Sequence, residues 1–473
     1  MPTDTPAQWT TPTERRQSGQ AIRKKVPRRL HAEFSAKHRH TSALTLLEQS
    51  VKGRVPSLVK LKNERMAASP FGYFRGAVPV MAADLATLPT TGILVQLCGD
   101  AHVRNLGAYA AEDGRLIFDI NDFDETFRGP FEWDLKRMAA SLVLAGRESS
   151  GKELLCERAV QRFVESYSER MRVYAPMPII DVARDQISRF DDVAPVHAAL
   201  RKAVRSTPLR TLKDLTIPVT SSAGGPAAGK KHPDGQSPDG QSPDGQNPGG
   251  QGETARLTAP RRFREQKPVL FHIDDVESAK VLASLHGYRA TLQSQRQHLF
   301  SLYKPLDVCF KVVGTGSVGL RDYCIYMEGN GSEDPLFLQV KEEAQSAYAP
   351  YLKDPDVPRH QGQRVVEGQR LIQTGTDILL GYTTIDGRDY LVRRLSDHKA
   401  SIELEDLRGD GLVEYAILCG ELLARGHARS GDPRQIAGYL GSGESFVTAI
   451  VEFGRRYADQ TEKDWAELKK AKQ

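Results

Sequence analysis

At 473 residues the chain is long enough for two or three domains, and its 39% hydrophobic and 26% charged residues are ordinary for a soluble globular protein. A formal net charge of +5 is small for this length and demands no nucleic acid, which is not expected as a partner. The apolar runs are strand-length and the amino terminus is polar and Arg-rich, so neither a membrane partner nor a secretory signal is expected. Cys98, Cys156, Cys309, Cys324 and Cys419 are scattered without C-x-x-C pairs, which points to reduced thiols in a cytoplasmic setting and away from a zinc site.

Residues 1–40 read as a basic flexible arm with Arg15, Arg16, Arg23, Lys24, Lys25, Arg28 and Arg29. No aromatic residues interleave to stack bases, so a solvated tail is the expectation. Residues 41–215 follow as a mainly helical part. Leu44, Leu47, Val51, Leu58 and Leu61 recur at helical spacing, and SPFGYFRGA, Ser69 to Ala77, reads as a small-residue and aromatic turn. Arg75 in that turn is either an anion contact or an arginine tied to a neighbouring carboxylate.

The stretch Gln96 to Glu125 reads strand, tight loop, strand, turn, strand and acidic tip. An apolar run delivers Gly99 and Asp100, and Asn105 follows five residues later on a polar loop. After the turn at Asp113-Gly114, Leu116, Phe118 and Ile120 alternate as a half-buried strand that ends in Asp122-Phe123-Asp124. Transfer of a phosphoryl group from a nucleotide needs a carboxylate beside the attacking hydroxyl, and an amide oxygen with a second carboxylate on magnesium. Asp100, Asn105 and Asp122 supply that set. Next, Gly129 to Gly146 shows a helical apolar stripe with Asp134 in its first turn.

Residues 216–268 contain Ser-Pro-Asp-Gly-Gln in tandem and form an expected disordered insert, since so few apolar residues cannot offset the ordering entropy. Residues 269–398 read as a strand-rich unit. Val308 to Val313 alternates, Gly314, Gly316 and Gly319 follow in G-x-G-x-x-G form, and Tyr323 to Met327 resumes a strand. In a dinucleotide fold the glycines would open a helix; here they cap a hairpin. A further strand closes on Lys341, and Glu367 on a helix from His360 to Gln373 is the expected partner of that lysine. Ser396 to Ala400 reads as a hinge, and residues 399–473 as further helices, led by the apolar run Leu412 to Ala428. Beyond it, Arg429 is either a cleft residue or part of a helix-end capping network.

These pieces resemble the kinase-like superfamily. Its members carry a catalytic Asp and a metal-binding Asn at the offset of Asp100 and Asn105, a metal Asp after a strand as at Asp122, and a phosphate-covering glycine loop with a following lysine. The form is closest to aminoglycoside and choline phosphotransferases, whose His-Gly-Asp-x-x-x-x-Asn loop has Cys98 here at the His position. The segments ASPFGYFRGA, QLCGDAHVRNLG, FDINDFDETFRGPFEWDLKRMAAS, RVVEGQRLIQ and ARGHARSGD resemble a bacterial family catalogued as domain of unknown function 2252. The resemblance implies an α+β, two-lobed protein-kinase-like fold, circularly permuted because the small nucleotide-binding lobe comes after the catalytic loop. The small lobe would be mainly antiparallel β and the large lobe mainly helical, with Asp134 bracing the catalytic loop from behind.

The activity so implied is transfer of a phosphoryl or nucleotidyl group from ATP, with Mg2+, to an acceptor that is a small molecule or a protein. Asp100 would be catalytic, Asn105 and Asp122 metal-binding, and Gly314, Gly316, Gly319, Lys341 and Glu367 nucleotide-binding; His102, Asp124, Arg75 and Arg429 are possible cleft residues. Two alternatives stand beside it. One is a nucleotide-binding pseudokinase without turnover; the other is a metal-dependent phosphohydrolase using Asp100, His102, Asp119, Asp122 and Asp124.

Overall fold

Alternating apolar residues in the second half of the chain build a six-stranded antiparallel sheet. The computed structural model describes residues 9–149, 151–187, 193–219, 260–312, 314–395 and 399–472. The strand order is Gly381–Ile385, Arg388–Arg394, Pro335–Glu342, Asp322–Glu328, Lys304–Lys311 and Leu270–His272. Every residue of the central strand Pro335–Glu342 is buried. Its even-numbered residues, Leu338 and Val340, join Phe310, Ile325 and Val392 under Val281, Leu285 and Tyr288 of the helix Asp275–Thr291. Phe337, with Cys309, Cys324 and Tyr326, packs with Leu212 from the helix Pro208–Leu215. Period-two geometry therefore sets Gln339 and Lys341 on the Phe337 face.

The helical part is organised around Glu132–Glu148, whose residues from Glu132 to Gly146 are all buried. An apolar stripe is therefore an understatement of this helix. Its charged residues are tolerated because each has an answer: Glu132 accepts from Thr91 N and Oγ1, both at 2.7 Å, Lys136 sits 4.7 Å over the Phe453 ring, and Arg137 meets Asp100. Helices Glu153–Tyr174, Asp410–Ser430 and Glu444–Lys472 pack around it with Leu135, Met138, Phe163, Tyr167, Leu422 and Phe453 in one core. Leu94–Leu97 pairs with Phe127–Pro130, and Leu106–Ala110 lies between Leu116–Ile120 and the short strand Ala400–Ser401. The chain is thus mixed α+β with antiparallel sheets. Among the described residues no helix is long and apolar enough to cross a membrane, and all five cysteines are free and buried.

Three sequence expectations are corrected. The basic segment expected as a flexible arm contains the helix Pro12–Lys25, started by a capping box between Thr11 and Glu14. Arg23 and Arg28 donate to carbonyls of Gly438, Tyr439 and Leu440, and His31 shares a 2.7 Å hydrogen bond with Tyr439, so the basic charge serves docking onto the C-terminal helices. SPFGYFRGA is a helix, Pro70–Gly76, capped by Ser69, rather than a turn. The edges of the expected insert are strands, Thr216–Pro218 paired with Arg261–Phe263, while the tandem repeat lies outside the described residues. So do Val313 and three residues of the expected hinge, 396–398.

Candidate functional site

The loop between Leu94–Leu97 and Leu106–Ala110 is held from behind by Asp134. That carboxylate accepts from Cys98 N at 2.8 Å and Gly99 N at 3.1 Å and is 3.3 Å from His427 Nε2. Gly99 is required here: its φ is +87°, and an added Cβ would lie 2.1 Å from Glu125 O, where the acidic tip crosses the loop. Asp100 then projects toward Arg137, 2.6 Å away, whose guanidinium also lies 4.1 Å over the Phe74 ring and donates to Phe74 O at 3.0 Å. Burial raises the Asp100 carboxyl, opposed by the charges of Arg137 and Arg75. Asn105 Nδ2 donates to Asp100 O at 2.9 Å, which leaves its amide oxygen for another partner. His102 packs edge-on against Phe71 and accepts from Arg104 N at 3.1 Å; burial and then the Arg75 charge hold it well below its ordinary pKa, so it is neutral.

The acidic tip meets the sheet. Lys341 Nζ is paired with the Asp124 carboxylate, which also accepts from Ser317 Oγ at 2.8 Å. Burial alone would lower the lysine, but the charges of Asp124, Asp122 and Glu343 push it above its ordinary value. Asp124 is driven well below the carboxylate range: burial works against this, and Lys341 with Ser317 overcomes it. Asp122 is raised, by burial and then by the negative charge of Asp124, with Lys341 and Arg393 opposing. Lys341, Asp122 and Asp124 thus form one electrostatic unit, with Asp100 among the charges acting on Asp122.

Sequence reasoning missed two residues that hold the segments of the site, one on Asp100 and one on the acidic tip. Arg137 is one. Arg364, on the helix Gln361–Ile372, is the other: it donates to Thr126 O at 2.6 Å, Asp124 O at 2.8 Å and Ala344 O at 3.0 Å, fastening the tip to the exit of the central strand. The signal was the helical phase, since Arg364 stands beside Val365 and Val366 on the buried side.

The glycine segment joins two antiparallel strands, Lys304–Lys311 and Asp322–Glu328, and opens no helix. It lies against the N-terminal helices. Lys62 Nζ donates to Thr315 O at 3.3 Å and Gly316 O at 3.0 Å, Arg54 Nη1 to Val318 O at 2.7 Å, and Val55 N to Gly319 O at 2.7 Å. A Cβ at Gly314 would be 3.8 Å from Arg75 Nη2.

Other expected site residues do not join. Glu367 is exposed and accepts from Gln363 Nε2 at 2.7 Å; the helix presents Val365, Val366, Gln369 and Ile372 inward, so Glu367 is not the partner of Lys341. Arg429 donates to the carbonyls of Leu371, Gln373 and Ala183, which makes it a clamp between chain segments rather than a cleft residue. Asp119 is held through both oxygens by Arg425, at 2.5 and 2.6 Å, inside the helical core. Among the described residues no three His, Cys, Asp or Glu side chains gather as a self-sufficient metal site. A cavity of about 40 Å³, lined by Tyr109, Asn121, Gln369, Gln373, Arg393 and Lys399, adjoins the tip. A groove of about 560 Å³ between Glu153–Tyr174 and Glu444–Lys472 contains none of these residues.

The chain belongs to the family described as uncharacterized protein conserved in bacteria (DUF2252), which matches residues 54–237 and 251–471. No curated protein and no solved structure matches the chain. The loop, the acidic tip, the glycine hairpin and Lys341 all fall within the matched residues.

Proposed function

We propose that this protein is an ATP- and magnesium-dependent transferase with a circularly permuted, two-lobed kinase-like fold. The observation that carries the reading is the meeting of Lys341 with Asp124 beside Asp122, groups that come from opposite halves of the chain. The residues fit magnesium in the way that ion is commonly held, by one or two carboxylates completed with substrate phosphates: Asp122 is crowded by Asp124, and the Asn105 amide oxygen is left free by its Nδ2 bond. Magnesium, when bound, would neutralise charge developing on the phosphates.

In this reading Lys341 and the glycine hairpin orient the polyphosphate, and Lys341 exchanges the Asp124 carboxylate for a phosphate oxygen. Asp100, fixed by Arg137, takes the proton of an acceptor hydroxyl as its oxygen bonds to phosphorus and the bond to the leaving phosphate or pyrophosphate breaks. Asp134 holds the loop so that Asp100 does not move during the transfer. The phosphohydrolase alternative is weakened because Asp119, one of its carboxylates, is committed to Arg425.

The test is to incubate the protein with small-molecule and protein acceptors and with ATP labelled either in the γ-phosphate or in the α-phosphate. Label transfer that requires magnesium and falls at least about a hundredfold in Asp100→Asn and Asp122→Asn is expected. Transfer from the γ-label alone means phosphoryl transfer, and from the α-label nucleotidyl transfer. Nucleotide binding with no label transfer to any acceptor would favour the pseudokinase reading.

A further inference from the structure

We propose that Arg54, Lys62 and Arg75, carried over the glycine hairpin by the helices ahead of the first strand, form a binding site for a phosphate-class anion. The inference deepens the nucleotide reading and rests on it only for assigning that anion to a nucleotide.

Several buried arginines elsewhere in the molecule face a carboxylate. Arg39 pairs with Asp84 and Asp464, Arg137 with Asp100 and Arg425 with Asp119. Among the described residues no carboxylate lies within ion-pair distance of Arg54, Lys62 or Arg75. Lys62 is 2% exposed and bonded only to the carbonyls of Thr315 and Gly316. Arg54 has only the carbonyls of Ser50 and Val318. The Arg75 Nε is buried with no hydrogen-bond partner. Carbonyl dipoles satisfy donors without cancelling charge, and carboxylates beyond ion-pair distance offset the desolvation of these three cations only in part.

Their placement indicates what compensates it. The Arg75 guanidinium lies beside Gly314 and its carbonyl oxygen beside Gly316, and the charges of Asp100 and Asp122 act on it. Burial and the Arg54 charge bring Lys62 down to about 7, against the pull of Glu125 and Asp100. An anion carrying several charges, reached past glycines that offer no side chain, matches three cations ranged along the hairpin better than a single carboxylate does. The same hairpin reaches the acidic tip through Ser317, which donates to the Asp124 carboxylate paired with Lys341. A polyphosphate touching both sets would be gripped from two parts of the chain.

The experiment is calorimetric titration of the full chain with inorganic pyrophosphate without added magnesium, and separately with Mg·ATP, in wild type, Arg75→Gln, Lys62→Met and Lys341→Met. Pyrophosphate is expected to bind the wild type and to bind at least about tenfold more weakly to Arg75→Gln and Lys62→Met, with thermal melting confirming that each variant is folded. Lys62→Met, which removes a buried charge, keeps the test usable if Arg75→Gln fails to fold. Absent pyrophosphate binding, or binding unchanged in both variants, overturns the inference. ATP binding lost in Lys341→Met but unaffected by the other two overturns the assignment of that anion to the nucleotide while leaving the nucleotide reading intact. Pyrophosphate binding that depends on Arg75 or Lys62, without any ATP binding, upholds the anion site and defeats the nucleotide reading.

Discussion

Lys341 and Asp124 form an ion pair across 217 residues of sequence, joining the end of the central strand to the acidic tip. The lysine is buried, and its charge is tolerated because Asp124 and Asp122 face it. Removing one partner of such a pair leaves a buried charge without compensation. Asp124→Asn is therefore expected to lower unfolding free energy by about 1–3 kcal/mol, reduced from the fully buried case because Asp124 is partly exposed. Urea denaturation measures this; a change below about 0.5 kcal/mol would mean that the pair carries no stability.

Asp134 belongs to the scaffold. Its carboxylate accepts from two buried amides, Cys98 N and Gly99 N. Asp134→Ala leaves both unsatisfied and should destabilise by about 2–4 kcal/mol, an effect visible in the apoprotein without nucleotide. Near-wild-type stability would contradict the bracing role.

Glu367 provides the contrasting case. On an exposed helical face with Gln363 as its hydrogen-bond partner, Glu367→Ala should change stability by less than about 0.5 kcal/mol and leave ATP affinity unchanged. A loss of ATP affinity comparable to that of a lysine variant would restore Glu367 to the site and imply that the helix rotates on binding.

Lys62 gives a pH dependence. Its folded pKa is about 7, and the unfolded value is near the ordinary 10.4 or so. Between these the unfolded chain binds more protons, so this group makes stability rise with pH from about 7 to about 10; below 7 the full penalty of burying the charge is present. Lys62→Met should accordingly be more stable than wild type at pH 7, by about 1–3 kcal/mol after loss of two hydrogen bonds, with the difference shrinking toward pH 10. Urea midpoints at pH 7 and pH 9 test it; a destabilised variant at pH 7 would contradict the sign.

Much of the local architecture is legible in the sequence because it rests on short-range patterns. The alternation of Leu116, Phe118 and Ile120 gives the strand Leu116–Ile120, and Asp386-Gly387, with φ of 49° and 72°, forms the turn between Gly381–Ile385 and Arg388–Arg394. The capping box at Thr11 and Glu14 is also a readable helix start, hidden by the basic composition around it. Glu367 shows a phase error, since with 3.6 residues per turn it falls about 200° from Val365 and away from the buried side. The partners of Asp100 and Lys341 are different in kind. Arg137 lies 37 residues from Asp100, and Arg364 240 residues from the carbonyl it holds at Asp124. No local period encodes such pairings; they follow from how the helical part and the sheet close on each other.

The central claim is that Lys341 and the acidic tip constitute a magnesium-nucleotide site, and its most direct test is calorimetric binding of ATP to wild type and Lys341→Met, each with and without magnesium. The account predicts magnesium-dependent binding by the wild type and at least tenfold weaker binding by the variant, about 1.4 kcal/mol or more. No binding by the wild type at millimolar ATP, or equal affinity in the two proteins, would contradict it.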